Sequence, residues 1–174
     1  MVSFFHIIVV LKAESTTTKS CVVFNGSAKS SPGVSLNDLM LVGPNVQDNL
    51  FHILLRLRKH NYVLSADAGT MYRQVLVQES QRNLQKILWR SNANDNILVY
   101  TLNTLTYGLA SASFLAIRSL QEVSNRNMNR FSNIILHDFY IDDLLTGAET
   151  VNEIIQIKKQ ITSLLLSYGF PLRN

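Results

Sequence analysis

The stretch HDFYIDDLLTG, His137 to Gly147, sets two aspartates, Asp142 and Asp143, side by side inside an otherwise apolar run. Adjacent carboxylates repel, and poorly solvated surroundings sharpen the repulsion. One reading is a tight turn, where aspartate is a favoured residue. The other is a divalent-cation site: Mg2+ takes oxygen ligands, commonly one or two carboxylates plus phosphate oxygens, and it offsets the repulsion. A third carboxylate, Asp67, ends the apolar run YVLSAD; taken alone it caps a turn or a helix. If the two runs pair in one sheet, three carboxylates meet at one sheet edge. That constellation suits phosphoryl transfer by a pair of metal ions about 4 Å apart. A third stretch, TYGLASASF (Thr106 to Phe114), is rich in small residues. Gly108 there permits either close approach of a flat base or sugar to the backbone, or close helix–sheet packing.

The elements that must position these residues follow from pattern. FHIIVVLK and CVVF read as strands, separated by the polar ESTTTKS, and NGSAKSSPGVSLND is rich in turn formers. Leu50, Ile53, Leu54 and Leu57 repeat at the helical period. Arg56, Arg58 and Lys59 in that helix's last turns either complement its dipole or contact phosphate. YVLSA, QVLV, QKILWR and ILVYTLNTL read as strands, with a helical QESQRNL among them. A helix with Phe114, Ile117 and Leu120 on one face follows, and then two strands, NIILHDFYI and DLLTGA, joined at the aspartate pair. The last helix is the best signalled: Thr150 and Glu153 form a capping box, Ile154, Ile157, Ile161, Leu164 and Leu165 form a stripe, and Gly169 is the stop. The order predicts an α+β fold with a largely antiparallel sheet.

Composition narrows the partners. The 174 residues suffice for one domain with room for a smaller lobe, and 47% hydrophobic against 16% charged content describes a globular chain. A formal charge of +4 favours a polyanion such as nucleic acid. One cysteine, Cys21, excludes an internal disulfide and fits a reducing compartment. The N-terminal MVSFFHIIVV has neither a basic flank nor a cleavage site, and no run reaches the ~20 apolar residues of a membrane span, so no membrane role is expected. The ending GFPLRN reads as an interior boundary, so the chain is expected to be a piece of a longer protein.

In order and spacing, the three stretches resemble motifs A, B and C of a reverse transcriptase palm. The resemblance narrows further. ESTTTKSCVVFNGSAKSSPGVSLNDLMLVGP, DNLFHILLRLRKHNYVLSAD, MYRQVLVQES, ILWR, LNTLTYGLASASFLA and DFYIDDLLTGAET are similar to BEL/Pao-type LTR retrotransposon polymerases over nearly the whole chain. The resemblance implies a reverse transcriptase fingers and palm over residues 1–174, with an xDD hairpin. Residues 1–60 would be mainly fingers, and residues 61–174 mainly palm with some fingers elements. It implies that Asp67, Asp142 and Asp143 are catalytic and hold a pair of Mg2+ ions, which Mn2+ can replace. Asp67 and Asp142 are the direct ligands; Asp143 binds metal or holds the geometry. Tyr72 matches the aromatic beneath the incoming sugar, Tyr107 and Gly108 match the motif B pair beside the nucleotide, and Tyr140 faces the primer end. The implied partners are an RNA or DNA template-primer, dNTPs, and the thumb, connection and RNase H regions of a Pol polyprotein. The implied location is cytoplasmic, in retrotransposon particles.

The departures are specific. Cys21 stands where the family has a triphosphate-contacting Arg, Thr70 and Asn174 stand where it has Lys, Ser113 where it has Pro, and FHII where it has a PHH-like start. Lys12 and Lys19 are the candidates to replace the missing Arg. Two functions are compatible with this mixture. One is an RNA-directed DNA polymerase fragment, which would extend primers poorly without a thumb. The other is a non-catalytic remnant that keeps the fold and nucleic-acid affinity. A metal-dependent nuclease fits less well, because motif B and Tyr72 suit nucleotide selection.

Overall fold

The computed structural model describes residues 4–11, 14 and 20–173. In chain order the elements are β1 (His6–Leu11), β2 (Ser20–Asn25), α1 (Leu50–Leu57), β3 (Tyr62–Ala68), β4 (Lys86–Trp89), β5 (Leu98–Thr101), α2 (Ala112–Arg126), α3 (Ser132–His137), β6 (Phe139–Tyr140), β7 (Asp143–Ala148), α4 (Val151–Ser167) and β8 (Leu172–Arg173). They fall into two compact units, residues 1–43 with 75–112 and residues 44–74 with 113–174. The units interleave, so the chain passes between them at three points.

The first unit contains two antiparallel hairpins, β1–β2 and β4–β5. A bridge from Phe4 to Lys86 joins them, and the Phe5 N–H donates to the Lys86 carbonyl at 2.8 Å. Buried Phe5 packs against Phe24, with ring centroids 5.7 Å apart. The expected strand QVLV does not form: Gln74 ends a 3-10 turn, Met71–Gln74, and Leu76 makes a single bridge to Thr104. The returning strand shortens to β5 for the same reason: a lone bridge, not a ladder, pairs its continuation.

The second unit is built on a four-stranded antiparallel sheet in the order β6-β7-β3-β8. Helices α1 and α4 pack against it. Its core includes Ile53 of α1, Ala66 and Ala68 of β3, Leu144 of β7, and Ile157, Ile161 and Leu165 of α4. The N-cap half of the expected box on α4 is present, with the Thr150 side chain accepting from the Glu153 N–H at 3.3 Å, and Gly169 takes φ +85°. On α2 the buried positions are Ala112, Ala116, Leu120, Gln121, Val123 and Ser124, a face rotated from the expected one; Phe114 and Ile117 are half-buried.

NIILHDFYI is not one strand. Ser132–His137 forms α3, and only Phe139–Tyr140 is extended. The cause lies upstream. The Asn129 side chain accepts from the Phe131 N–H at 2.8 Å, and the Ser132 hydroxyl accepts from the Asn129 N–H at 3.0 Å. These local hydrogen bonds start a helical turn before the apolar run begins.

Candidate active site

The register of the sheet places the aspartates. Asp67 lies directly opposite Asp143 across β3 and β7, and opposite Arg173 of β8 on its other side. One step on, the Ala68 N–H donates to the Asp142 carbonyl at 2.7 Å. The two apolar runs therefore do pair in one sheet, and all three carboxylates gather at one end of it. Residues paired across antiparallel strands project from the same face with Cβ atoms about 5 Å apart, so Asp67 and Asp143 are close neighbours. Both Asp67 and Asp142 are half-buried, whereas Asp143 is exposed.

The electrostatics follow from this packing. Burial pushes the Asp67 carboxyl above its ordinary value, and repulsion from Asp142 and then Asp143 pushes it further, against a pull from Arg173 in the other direction. The Arg173 side chain lies over Gly69, where a Cβ would come within 2.5 Å of its Nε. The donor set suits a hard, oxygen-seeking cation, because three carboxylates stand where nearby charge already disfavours ionisation. Among the described residues no group of three His, Cys, Asp or Glu side chains is set to hold a metal ion unaided. Mg2+ does not need such a cage; it ordinarily keeps waters and takes substrate phosphates beside one or two carboxylates. On charge and donor chemistry the site fits the ion.

The hairpin that carries the pair is unusual. Ile141 and Asp142 form the two-residue link between β6 and β7, and Ile141 has φ +56°. Its N–H donates to the Gln47 side-chain oxygen at 2.9 Å. At the hairpin's base, Asp138 accepts from the Thr146 hydroxyl at 2.8 Å and from Arg56 Nε at 3.3 Å. Arg56 also pairs with Asp48 at 2.9 Å and donates to the His137 carbonyl. Arg56 lies in the last turn of α1, as the dipole reading expects, and its guanidinium is committed to Asp48, Asp138 and the His137 carbonyl.

The remaining candidates are placed as follows. Tyr72 sits in the 3-10 turn after β3, buried, with its hydroxyl 3.0 Å from the Ser113 hydroxyl. Tyr140 is half-buried on β6 opposite Asp143. Tyr107 and Gly108 belong to the first unit, in a turn. Gly108 has φ +90°, and a Cβ there would collide with the Phe24 carbonyl oxygen of β2. Its close approach is to the protein's own backbone, which is the packing alternative raised by the sequence. Lys12, Lys19 and Asn174 lie outside the described residues, as does the Cys21 side chain.

Sequence reasoning missed Gln47, Asp138, Arg173 and Asn37. Asn37 pins the Gly108 turn, donating to the Gly108 carbonyl and accepting from the Ala110 N–H, each at 2.9 Å. Gln47 and Asn37 act on backbone remote in sequence, Asp138 and Arg173 act on side chains that only the fold brings near, and no periodicity signals such contacts.

A family model described as "Reverse transcriptase (RNA-dependent DNA polymerase)" matches residues 11–174. Among solved structures, the chain is similar to the foamy viral protease-reverse transcriptase dRH in complex with double-stranded DNA. The TM-score is 0.74 at 18% identity, covering 99% of this chain and 27% of that one. It is also similar to the foamy viral protease-reverse transcriptase in complex with an RNA/DNA hybrid. There the TM-score is 0.74 at 16% identity, covering 99% and 20%. The chain thus spans less than a third of either protein. No curated protein sequence matches it.

Proposed function

The chain belongs to the reverse transcriptase (RNA-dependent DNA polymerase) family, and from that premise we propose that it carries the catalytic carboxylates for RNA-directed DNA synthesis. The observation that carries this is the register pairing of Asp67 with Asp143, with Asp142 bonded to the next residue of β3. The finer assignment is to a BEL/Pao-type LTR retrotransposon, with this chain as the fingers and palm of a cytoplasmic Pol polyprotein that also supplies thumb and RNase H. It rests on the motif set from the fingers segment to DFYIDDLLTGAET.

In this reading the primer 3′-hydroxyl attacks the α-phosphate of a dNTP; a P–O bond forms, and the bond to pyrophosphate breaks. Asp67 and Asp142 would hold the divalent ions, and Asp143 would contribute charge beside them. Bound Mg2+ would neutralise charge building on the phosphates and acidify the 3′-hydroxyl. Tyr72 walls the sugar pocket, its ring fixed partly through Ser113. Tyr140 flanks the primer end. Template-primer is held through its backbone by basic residues, so binding weakens as salt rises.

The test is single-nucleotide addition to a template-primer, with protein in excess, in Mg2+ and then Mn2+. Asp142→Asn should lower addition by orders of magnitude while leaving the circular dichroism spectrum intact. Tyr72→Val should raise ribonucleotide relative to deoxyribonucleotide use. Addition unchanged in Asp142→Asn would remove this site from the chemistry.

A further inference from the structure

We propose that Gln47 is a positioning residue for Asp142, acting through the main chain of Ile141; this rests on the reading of Asp142 as a metal ligand. Ile141 has φ +56°, and Asp142 is not among the residues with positive φ. A two-residue hairpin link with positive φ at its first position only is normally built with glycine there. A β-branched side chain in that region is a genuine outlier, and such conformations persist only where the surroundings over-determine them.

Two hydrogen bonds do so here. The Asp142 carbonyl accepts from Ala68 at 2.7 Å, which is the ordinary continuation of the β3–β7 ladder. The Ile141 N–H donates to Gln47 Oε1 at 2.9 Å, and that bond comes from outside the sheet. Gln47 is half-buried and its own segment is fixed on either side. The Val46 carbonyl accepts from Gln121 Nε2 at 2.6 Å, and Asp48 pairs with Arg56 at 2.9 Å. Arg56 in turn holds Asp138, whose carboxylate takes the Thr146 hydroxyl and whose carbonyl takes the Leu145 N–H at 2.8 Å. The segment before α1 thus forms a bracket that grips both strands of the hairpin and ends on the peptide N–H next to Asp142. Among the described residues Gln47 is hydrogen-bonded to no carboxylate; it sets the direction in which the turn presents one.

The experiment titrates the 174-residue chain with Mn2+ and follows paramagnetic broadening of the Asp67 and Asp142 amide signals by NMR. Asp142→Asn should abolish site-specific broadening. Gln47→Met should weaken apparent Mn2+ affinity by about three- to tenfold, the scale of one lost hydrogen bond. Glycine adopts positive φ without help, so in an Ile141→Gly background the same substitution should cost less than about twofold. Should Gln47→Met fail to fold, Gln47→Asn, one methylene too short, takes its place in the cycle. Broadening unchanged by Asp142→Asn would overturn the metal-site reading, and the inference with it. If Asp142→Asn does abolish broadening, wild-type affinity in the Gln47 variant would overturn the inference alone. So would an equal loss in both backgrounds, because Gln47 would then act on the fold at large and not on the turn.

Discussion

Replacing Asp67 by Asn should stabilise the metal-free protein. Asp67 faces Asp143 across the ladder, and Asp142 lies one residue further on. At about 5 Å two unit charges repel by roughly 1 kcal/mol in water and three to four times more at an effective dielectric of 20. Asp143 is exposed, so the lower figure applies, and relief of about 1 kcal/mol should raise Tm by about 2–4 °C in a chain of this length. The sign with pH is fixed by the raised Asp67 value. The folded protein holds a proton that the unfolded chain releases, so stability is full below the ordinary carboxyl value of 3.8 and is lost as pH rises through the folded one. The advantage of Asp67→Asn should therefore be missing near pH 3 and complete at neutrality. Mg2+ at neutral pH should then raise the wild-type Tm and leave the variant nearly unmoved. Differential scanning fluorimetry over a pH and Mg2+ grid measures all three effects. A variant advantage that does not change with pH would refute the charge argument, and so would equal Mg2+ stabilisation of both proteins.

Three further outcomes are expected. Gly108→Ala should destabilise the protein by more than about 1 kcal/mol in chemical denaturation, because alanine at φ +90° is strained and its Cβ collides with Phe24; an unmoved midpoint would mean the turn repacks. Tyr72→Phe and Ser113→Ala should each cost about 1 kcal/mol and should not add in a double-mutant cycle, since both break one hydroxyl pair; additive losses would mean the pair does not interact. Thr150→Ala should cost about 1 kcal/mol and Thr150→Ser almost nothing, read from thermal melts, because only the N-cap oxygen matters at α4.

The parts of this molecule that could be read from sequence are those in which neighbouring residues decide the outcome. Thr150, the Ile157–Ile161–Leu165 stripe and Gly169 signal α4 within one element. The run ending at Asp67 reads as a strand because it is short and mostly apolar and opens on the strand formers Tyr62 and Val63 just after the turn residue Asn61. Ile134, Ile135 and Leu136 deceived because a short apolar run has no period long enough to separate strand from helix. The deciding signal, Asn129 and Ser132, lay in the loop before it. At the site, the three aspartates were legible from their apolar settings and order. Gln47, Asp138 and Asn37 were not, since each is a polar side chain whose partner is a backbone group or hydroxyl that only the folded chain brings near.

The sheet order also governs when the site can exist during synthesis. β3 is the second unit's first strand, and both of its neighbours, β7 and β8, come from the far end of the chain. From Asp67 to Asp143 the ribosome adds 143 − 67 = 76 residues, roughly 4–15 s at the usual 5–20 residues per second. Through that interval the YVLSADA strand has two open edges and no native partner, while the β4–β5 hairpin, made in between, pairs at once with itself. A nascent chain with such a waiting strand is exposed to pairing with other chains. Slowing elongation after residue 68 would therefore lower soluble yield, and slowing it after residue 148, once β7 has been made, would not.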